Sequence, residues 1–318
     1  MTKEFTLQNP DLSIIIIVAS DCRHLTRCLE SLSEQVNPPA MEIIVPYEEN
    51  TLDVSAVQSR FPMVHFHKVA SLKPSNNSNK PNHEHLDKMR AIGTSLAKGK
   101  IVALLEDHDR LDKYWSMEVM KAHKAPHAAI GGAIENEVDR PLNWAVYFCD
   151  FWRYQNPLTE GSSCFLSDVN ISYKRHTLEQ IRKLWNDSYH EPFVNSVLRS
   201  KGQTLWLSPK IIAYQHRENL KLGSALQERV DWGRYYAGNR VQKFALPKRL
   251  FYAFFSPFLP LLLVTRISCR VLIKKRLDRK FIKAFPLLLI LTIFWSFGEF
   301  LGYITARPSS VPTTVSYE

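Results

Sequence analysis

The sequence predicts an α/β fold, a mostly parallel sheet flanked by helices in a Rossmann-like order, followed by a C-terminal helical region of membrane character. Three observations carry this expectation. Short, nearly continuous apolar runs alternate with stretches of helical apolar spacing over roughly the first two hundred residues. Two long apolar stretches then occupy residues 250–265 and 285–306. Finally, the charge is divided unevenly: residues 1–218 hold 25 Lys+Arg against 26 Asp+Glu, and residues 219–318 hold 16 against 5, so the net +10 falls entirely in the last hundred residues. A basic segment interleaved with apolar runs points to a membrane surface. No nucleic-acid-binding signature accompanies it, so nucleic acid is not an expected partner.

Taken in order, residues 13–19 form a β-branched apolar run suited to a first strand. HLTRCLESLSE (24–34) follows as a helix, with Leu25, Cys28, Leu29 and Leu32 on one side. MEIIVP (41–46), MVHFHKV (63–69) and IVALL (101–105) are three further strands, each apolar nearly throughout and therefore expected to be covered on both faces. HLDKMRAIGTSLAKG (85–99) reads as a helix through Met89, Ile92, Leu96 and Ala97, preceded by a polar surface loop, KPSNNSNKPN (73–82). Two short strands, GQTLWL (202–207) and KIIAYQ (210–215), come later. Pro192 suits the first turn of a helix ending near Gly202, which places Glu191 just before that helix.

The five cysteines are odd in number, scattered and without a CxxC, as expected of reduced thiols in a cytosolic compartment. The early run SIIIIVAS is short and follows Glu4 and Asp11, so it is expected to be a strand and not a signal peptide. The C-terminal hundred residues divide further. Residues 225–244 place Leu226, Val230, Gly233, Ala237, Val241 and Phe244 at helical spacing among Arg229, Arg234, Arg240 and Lys243, a basic amphipathic helix. Residues 250–265 are short and carry Pro257 and Pro260, whereas 285–306 are long enough to cross a bilayer. The basic loop between them disfavours a two-crossing hairpin by the positive-inside tendency, so one interfacial element and one crossing are expected. The expected organisation is thus an α/β domain over 1–218, an amphipathic helical segment over 219–248, membrane-associated helices over 249–306 and a disordered tail over 307–318.

LLEDHD (104–109) crowds acids and an imidazole at the end of the fourth strand, and ligands of open parallel sheets gather at the carboxyl ends of strands. The ordered series RCLESL, MRAIGTSLAKGKIVALLEDHD, NISYKR, HEPFVNSVLRSKG and IIAYQH resembles the family 2 glycosyltransferases with the GT-A fold, over roughly residues 12–217. The ending PLLLILTIFWSFGEFLGYI is similar to the membrane tail of bacterial members.

The resemblance implies a nucleotide-diphosphate sugar as donor, a UDP-sugar by preference, and a divalent metal bridging its phosphates. Glu106 and His108 stand where the family has Asp-x-Asp, with Asp107 an alternative in the adjacent register, and His216 stands where a histidine completes the metal and phosphate environment. Such a metal acts as a Lewis acid on the leaving group, and an imidazole among its ligands favours Mn²⁺ over Mg²⁺. Ala19, Ser20 and Asp21 match the turn that wraps the base, Arg90 the residue that reaches the diphosphate or ribose, Asp107 the donor pocket, and Asn170 the strand near the donor sugar. Pro46, Tyr47 and Glu48 replace the acid that commonly reads uracil. Glu191 matches the family's second acid, eleven residues before Gly202, and His190 replaces the first. A carboxylate there implies a general base for inverting transfer.

Trp232 in QERVDW lacks the spacing of the processive signature, which implies non-processive transfer. The expected partners are the nucleotide sugar, a glycan or lipid-linked acceptor, and membrane lipids, with the enzyme on the cytoplasmic face of the inner membrane and a role in the cell envelope. The degenerate acids leave open a second class, a non-catalytic binding or scaffold module of the same fold. A nucleotidyltransferase would need a Gly-rich triphosphate loop near the first strand, and the sequence has none.

Overall fold

A computed structural model describes residues 9–306 except 19–21, 23, 50, 52, 71–82 and 242–243. The loop expected at 73–82 and the tail expected at 307–318 lie outside the described residues. The chain runs β1 (Leu12–Ile17), α1 (Leu25–Ser33), β2 (Met41–Glu48), α2 (Val54–Arg60), β3 (His65–Val69), α3 (His83–Leu96), β4 (Ile101–Glu106), β5 (Asp109–Leu111), α4 (Trp115–Ala122), β6 (Ala129–Asn136) and α5 (Pro141–Phe151). It continues through β7 (Gly161–Ser162), β8 (Asn170–Lys174), α6 (Arg175–Glu179), α7 (Glu191–Ser200), β9 (Leu205–Gln215), α8 (Leu222–Arg240), α9 (Leu246–Phe255), α10 (Leu259–Ile273) and α11 (Asp278–Thr305). Two compact units result, one of Met1–Ile134 with Leu158–His216, the other of Glu135–Pro157 with Arg217–Glu318.

The first unit is built on a nine-stranded sheet in the order β3-β2-β1-β4-β8-β6-β9-β5, with β7 paired to β9. Strands β3, β2, β1 and β4 are parallel. Pairings β4–β8, β6–β8, β5–β9 and β7–β9 are antiparallel, so the sheet is mixed, with its parallel part in the N-terminal half. Alternation of side chains along β1 sends Ile14 and Ile16 into a cluster with Leu25, Cys28 and Leu29 of α1, and Ile15 and Ile17 into a second cluster with Met89 of α3 and Leu198 of α7. Both faces are covered, which is why the run is apolar at every position. Each such buried isoleucine contributes about 2 kcal/mol of transfer free energy. Gly99 is required between α3 and β4, because a Cβ there would come within 2.6 Å of the Ser13 backbone nitrogen.

The register of β1 on β4 pairs Ile17 with Glu106, so the carboxyl ends of the two central parallel strands lie side by side. Strand β9 runs unbroken through Pro209 where the sequence suggested two strands. That proline lies between the segment that pairs with β7 and the one that pairs with β5.

In the second unit, α8 runs along α11 through glycines. A Cβ on Gly233 would meet the carbonyl of Trp295, one on Gly298 the carbonyl of Val230, and one on Gly302 the carbonyl of Arg234. Arg229 of α8, within the segment read as a basic amphipathic helix, is 2% exposed and grips Asp150 of α5 with both terminal nitrogens, at 2.5 and 3.1 Å. Two 28-residue helical stretches, Leu246–Ile273 and Asp278–Thr305, have mean hydropathies of 1.7 and 1.9 and are long and apolar enough to cross a membrane. The first leaves large apolar side chains outside the fold, Phe254 at 71% and Leu261 at 72% exposure.

Candidate active site

Strand β4 delivers Glu106 to the sheet's edge, and a tight turn keeps the next residues there. The backbone N–H of Glu106 donates to Oδ2 of Asp109 at 2.9 Å, and that of Asp107 donates to the Ile17 carbonyl at 3.0 Å, extending the β1–β4 ladder by one rung. The N–H of His216, just past β9, donates to the carbonyl of His108 at 2.9 Å. The end of β9 is thereby tied to this turn. Asp109 itself is 1% exposed, accepts from Gln215 Nε2, and holds the turn.

Glu106, Asp107 and His108 are brought together. The His108 ring stands between two carboxylates, with Nε2 3.1 Å from Oε2 of Glu106 and Nδ1 3.1 Å from Oδ1 of Asp107. Carboxylates only accept, so both ring nitrogens donate and the ring is an imidazolium. Burial opposes that charge, but the hydrogen bonds to Asp107 and Glu106 outweigh it and hold the His108 pKa well above the usual imidazole range.

Arg90 of α3 is the second cation, 2% exposed. Its Nη1 lies 3.1 Å from Oδ1 of Asp87, and its Nη2 lies 3.2 Å from Oε1 of Glu106 and 2.9 Å from Oδ2 of Asp168. Burial disfavours this charge, yet Asp168, Asp87 and Glu106 together keep it firmly protonated. Asp87 also receives Nδ1 of His190 on Oδ2 at 3.2 Å and the backbone N–H of Tyr189 on its carbonyl at 2.9 Å. These two bonds fasten the entry of α7 to α3.

Glu191 is the first residue of α7, one position inside the helix it was expected to precede, with Pro192 following it in the first turn. Its carboxyl is partly exposed, and Oε1 accepts from Asn195 Nδ2 one turn along. Burial, then the negative charge of Asp168, push its pKa well above the ordinary carboxylate range, while the Asn195 hydrogen bond and Arg90 pull the other way. Arg90 therefore links two groups of acids: Glu106 with its His108 neighbour, and Asp87 and Asp168, whose charges reach Glu191.

The structure does not gather the other expected residues here. Ala19, Ser20 and Asp21 lie outside the described residues. The His216 ring faces Arg27 of α1, whose Nη1 lies 2.8 Å from Nε2 and 2.9 Å from Nδ1. Asn170 is 1% exposed with its carboxamide engaged in the interior: Nδ2 donates to the carbonyls of Ala133 and Ile211, and Oδ1 accepts from the Trp115 indole at 2.9 Å. It joins β8 to β6, β9 and α4.

The expected metal ligands Glu106, His108 and His216 do not fit a metal ion in this arrangement. An imidazolium has no lone pair to offer, both oxygens of Glu106 already face cations, and His216 is turned to Arg27. Among the described residues no group of three or more His, Cys, Asp or Glu side chains is disposed to hold one.

Sequence reasoning missed Asp87, Asp168 and Asn195. Asp87 and Asn195 were within reach, as the i−3 neighbour of Arg90 and the i+4 neighbour of Glu191 on their helices. Asp168 lies in an irregular segment before β8, and no local pattern marks it.

No protein-family model and no curated protein sequence matches the chain. Among solved structures it is similar to the mannosyltransferase PcManGT from Pyrobaculum calidifontis in complex with GDP-Man and Mn²⁺, at 14% identity and a TM-score of 0.46, covering 94% of this chain and 86% of that one. It is also similar to S. aureus TarS 1-349, in complex with UDP at 11% identity, a TM-score of 0.45 and coverage of 89% and 90%. With UDP-GlcNAc the same protein gives 11%, a TM-score of 0.46 and coverage of 93% and 92%. At that level the likeness is one of outline and assigns no residue a role.

Proposed function

We propose that the protein is an inverting, non-processive glycosyltransferase of the GT-A type that moves a sugar from a nucleotide-diphosphate donor to an acceptor hydroxyl at a membrane surface. The observation that carries the reading is a partly exposed carboxyl, Glu191, at the head of α7, within electrostatic reach of an acid network that the buried Arg90 ties to Glu106 at the carboxyl end of β4. A carboxyl whose pKa is raised by burial and a neighbouring acid holds a proton more tightly than an ordinary carboxylate, which suits it to act as a general base. In the transfer, Glu191 takes the proton of the acceptor hydroxyl as that oxygen bonds to the anomeric carbon. The bond from that carbon to the phosphate oxygen breaks, its electron pair leaves with the nucleoside diphosphate, and the sugar inverts. Arg90, its terminal nitrogens engaged by Asp87, Glu106 and Asp168, offsets the charge of these acids and holds them in place beside the base.

Four carboxylates, those of Asp87, Glu106, Asp107 and Asp168, are gathered around Arg90, His108 and His190. An anionic donor entering this site therefore gains from bringing a divalent cation with it. The two long apolar helical stretches support membrane association, with the α/β unit on the cytoplasmic face of an inner membrane and a lipid-linked or cell-envelope glycan as acceptor.

A specific observation favours a second reading: every carboxylate of the cluster already has an internal cation, as in a site kept for structure in a non-catalytic module. Purified protein and its E191Q variant, each tested with a panel of UDP- and GDP-sugars for release of nucleoside diphosphate, separate the two. Catalysis is expected from the wild type, with a fall of roughly 10²–10⁴-fold in E191Q. Equal rates in both, with folding intact, would remove the base assignment; inactivity of the wild type across the panel, with no nucleotide bound, favours the module.

A further inference from the structure

We propose that Asn195, held in turn by the hydroxyl of Tyr173, is the positioning residue that presents the Glu191 carboxylate to an acceptor. The inference rests on the reading of Glu191 as the base and adds to it the device that aims it. Glu191 and Asn195 stand four apart on α7, hence one turn apart on the same face. Nδ2 of Asn195 donates to Oε1 of Glu191, and Oδ1 of Asn195 accepts from the Tyr173 hydroxyl at 2.8 Å. Asn195 is 2% exposed and Tyr173 is fully buried, so water does not compete for the bond between them.

The charged form of Glu191, the form a general base must take, fixes the direction of this chain. An ionised carboxylate accepts and cannot donate, so Asn195 must turn its NH₂ toward Glu191 and its oxygen toward Tyr173. Tyr173 must then be the donor. A reversed amide would set oxygen against oxygen beside Glu191. The array therefore suits the charged form of Glu191, against burial and the charge of Asp168, which favour the neutral one. It also ties down Oε1 and leaves Oε2 as the oxygen to face an acceptor hydroxyl.

The anchor of the array is the sheet and not the helix that carries the base. Tyr173 belongs to β8, which pairs with β4, and its ring meets that of Tyr189 edge-on at 6.2 Å and 74°. Tyr189 is itself bonded through its backbone N–H to Asp87 of α3. Asparagine competes with the backbone and is a poor choice for a buried helix interior. Its presence there, with both ends of the amide used, is what a positioning role demands.

The test uses N195A and Y173F in the full chain, both checked by thermal melting, with nucleoside-diphosphate release from whichever UDP- or GDP-sugar the wild type turns over. The titratable groups that interact with Glu191 are Asp168, Arg90, Asp87, Tyr173 and Tyr189, with His190 adjacent in sequence, and of these only Tyr173 is altered. N195A is expected to lower kcat roughly tenfold with donor KM unchanged, and Y173F by about threefold in the same direction. In both, the acid limb of the kcat profile moves to higher pH, because a donor to the charged carboxylate has been weakened or removed. Selective ¹⁵N labelling gives a readout independent of turnover: the Asn195 side-chain amide resonance should follow pH in the wild type and lose that dependence in E191Q. A fixed limb in both variants beside an inactive E191Q, or an amide resonance indifferent to pH, overturns the positioning role alone. An E191Q enzyme of normal rate overturns the base assignment instead.

Discussion

Replacing Arg90 by Met would leave Asp87, Glu106 and Asp168 facing one another without the cation that joins them. Removing one partner from a buried charge network costs about 3–5 kcal/mol, so R90M is expected to melt well below the wild type by calorimetry. R90K should recover only part of the loss, since a lysine cannot reproduce the fork that serves Asp87 on one nitrogen and Glu106 with Asp168 on the other. Glu191 yields a pH prediction of definite sign. Its pKa is raised in the folded state, so its contribution to stability is present below the unfolded value of about 4.3 and is lost as pH rises through the folded value. The melting temperature of E191Q relative to the wild type should therefore be higher at pH 8 than at pH 4. Mn²⁺ alone is expected to leave the melting temperature unchanged, because His108 and Arg90 already occupy the carboxylates; Mn²⁺ together with a nucleoside diphosphate should raise it. A rise with Mn²⁺ alone would show that His108 releases its partners to a metal. Glu106, His108 and Glu191 were legible in the sequence because they sit at a strand end and a proline-marked helix start. The network around Arg90 was not, because Asp168 reaches it from 78 residues away through irregular chain.

The strands of the first unit were legible for a physical reason: burial on both faces makes an apolar run, and β1, β2 and β4 each show one. Strand direction leaves no such mark. The direction of the later strands could not be read from their composition, and they pair antiparallel; residues 202–207 and 210–215, expected as two strands, form one continuous β9 through Pro209. Helix α8 shows the same limit, since Gly233 counted as one apolar position among several and is the residue on which α11 closes. Substituting Leu at Gly298 would drive a side chain into the Val230 carbonyl. G298L is expected to destabilise the second unit by about 1–3 kcal/mol, whereas G223L, at a position with open space around it, should change little. Urea unfolding followed through tryptophan fluorescence would show whether the two differ.

At the scale of the whole chain, the uneven charge and the two apolar stretches make one prediction. If the helical stretches Leu246–Ile273 and Asp278–Thr305 enter a bilayer, the protein should remain in the membrane fraction after an alkaline carbonate wash. L261R, placing a charge at a side chain 72% exposed, should weaken that retention, and recovery of the wild type in the supernatant would count against insertion. The sequence offered no sign that residues 135–157 belong with the C-terminal helices. Their partners are distant in the chain: Asp150 meets Arg229, and Glu135 meets Arg276 at 2.6 Å. The glycine seam between α8 and α11 carries a mechanical corollary. At Gly233, Gly298 and Gly302 the backbones approach closely, leaving no room there for side chains to slide, so a tilt of one helix is expected to carry the other with it. Were those helices lodged in a lipid layer, a change in its thickness that rocked one would be expected to rock its neighbour too.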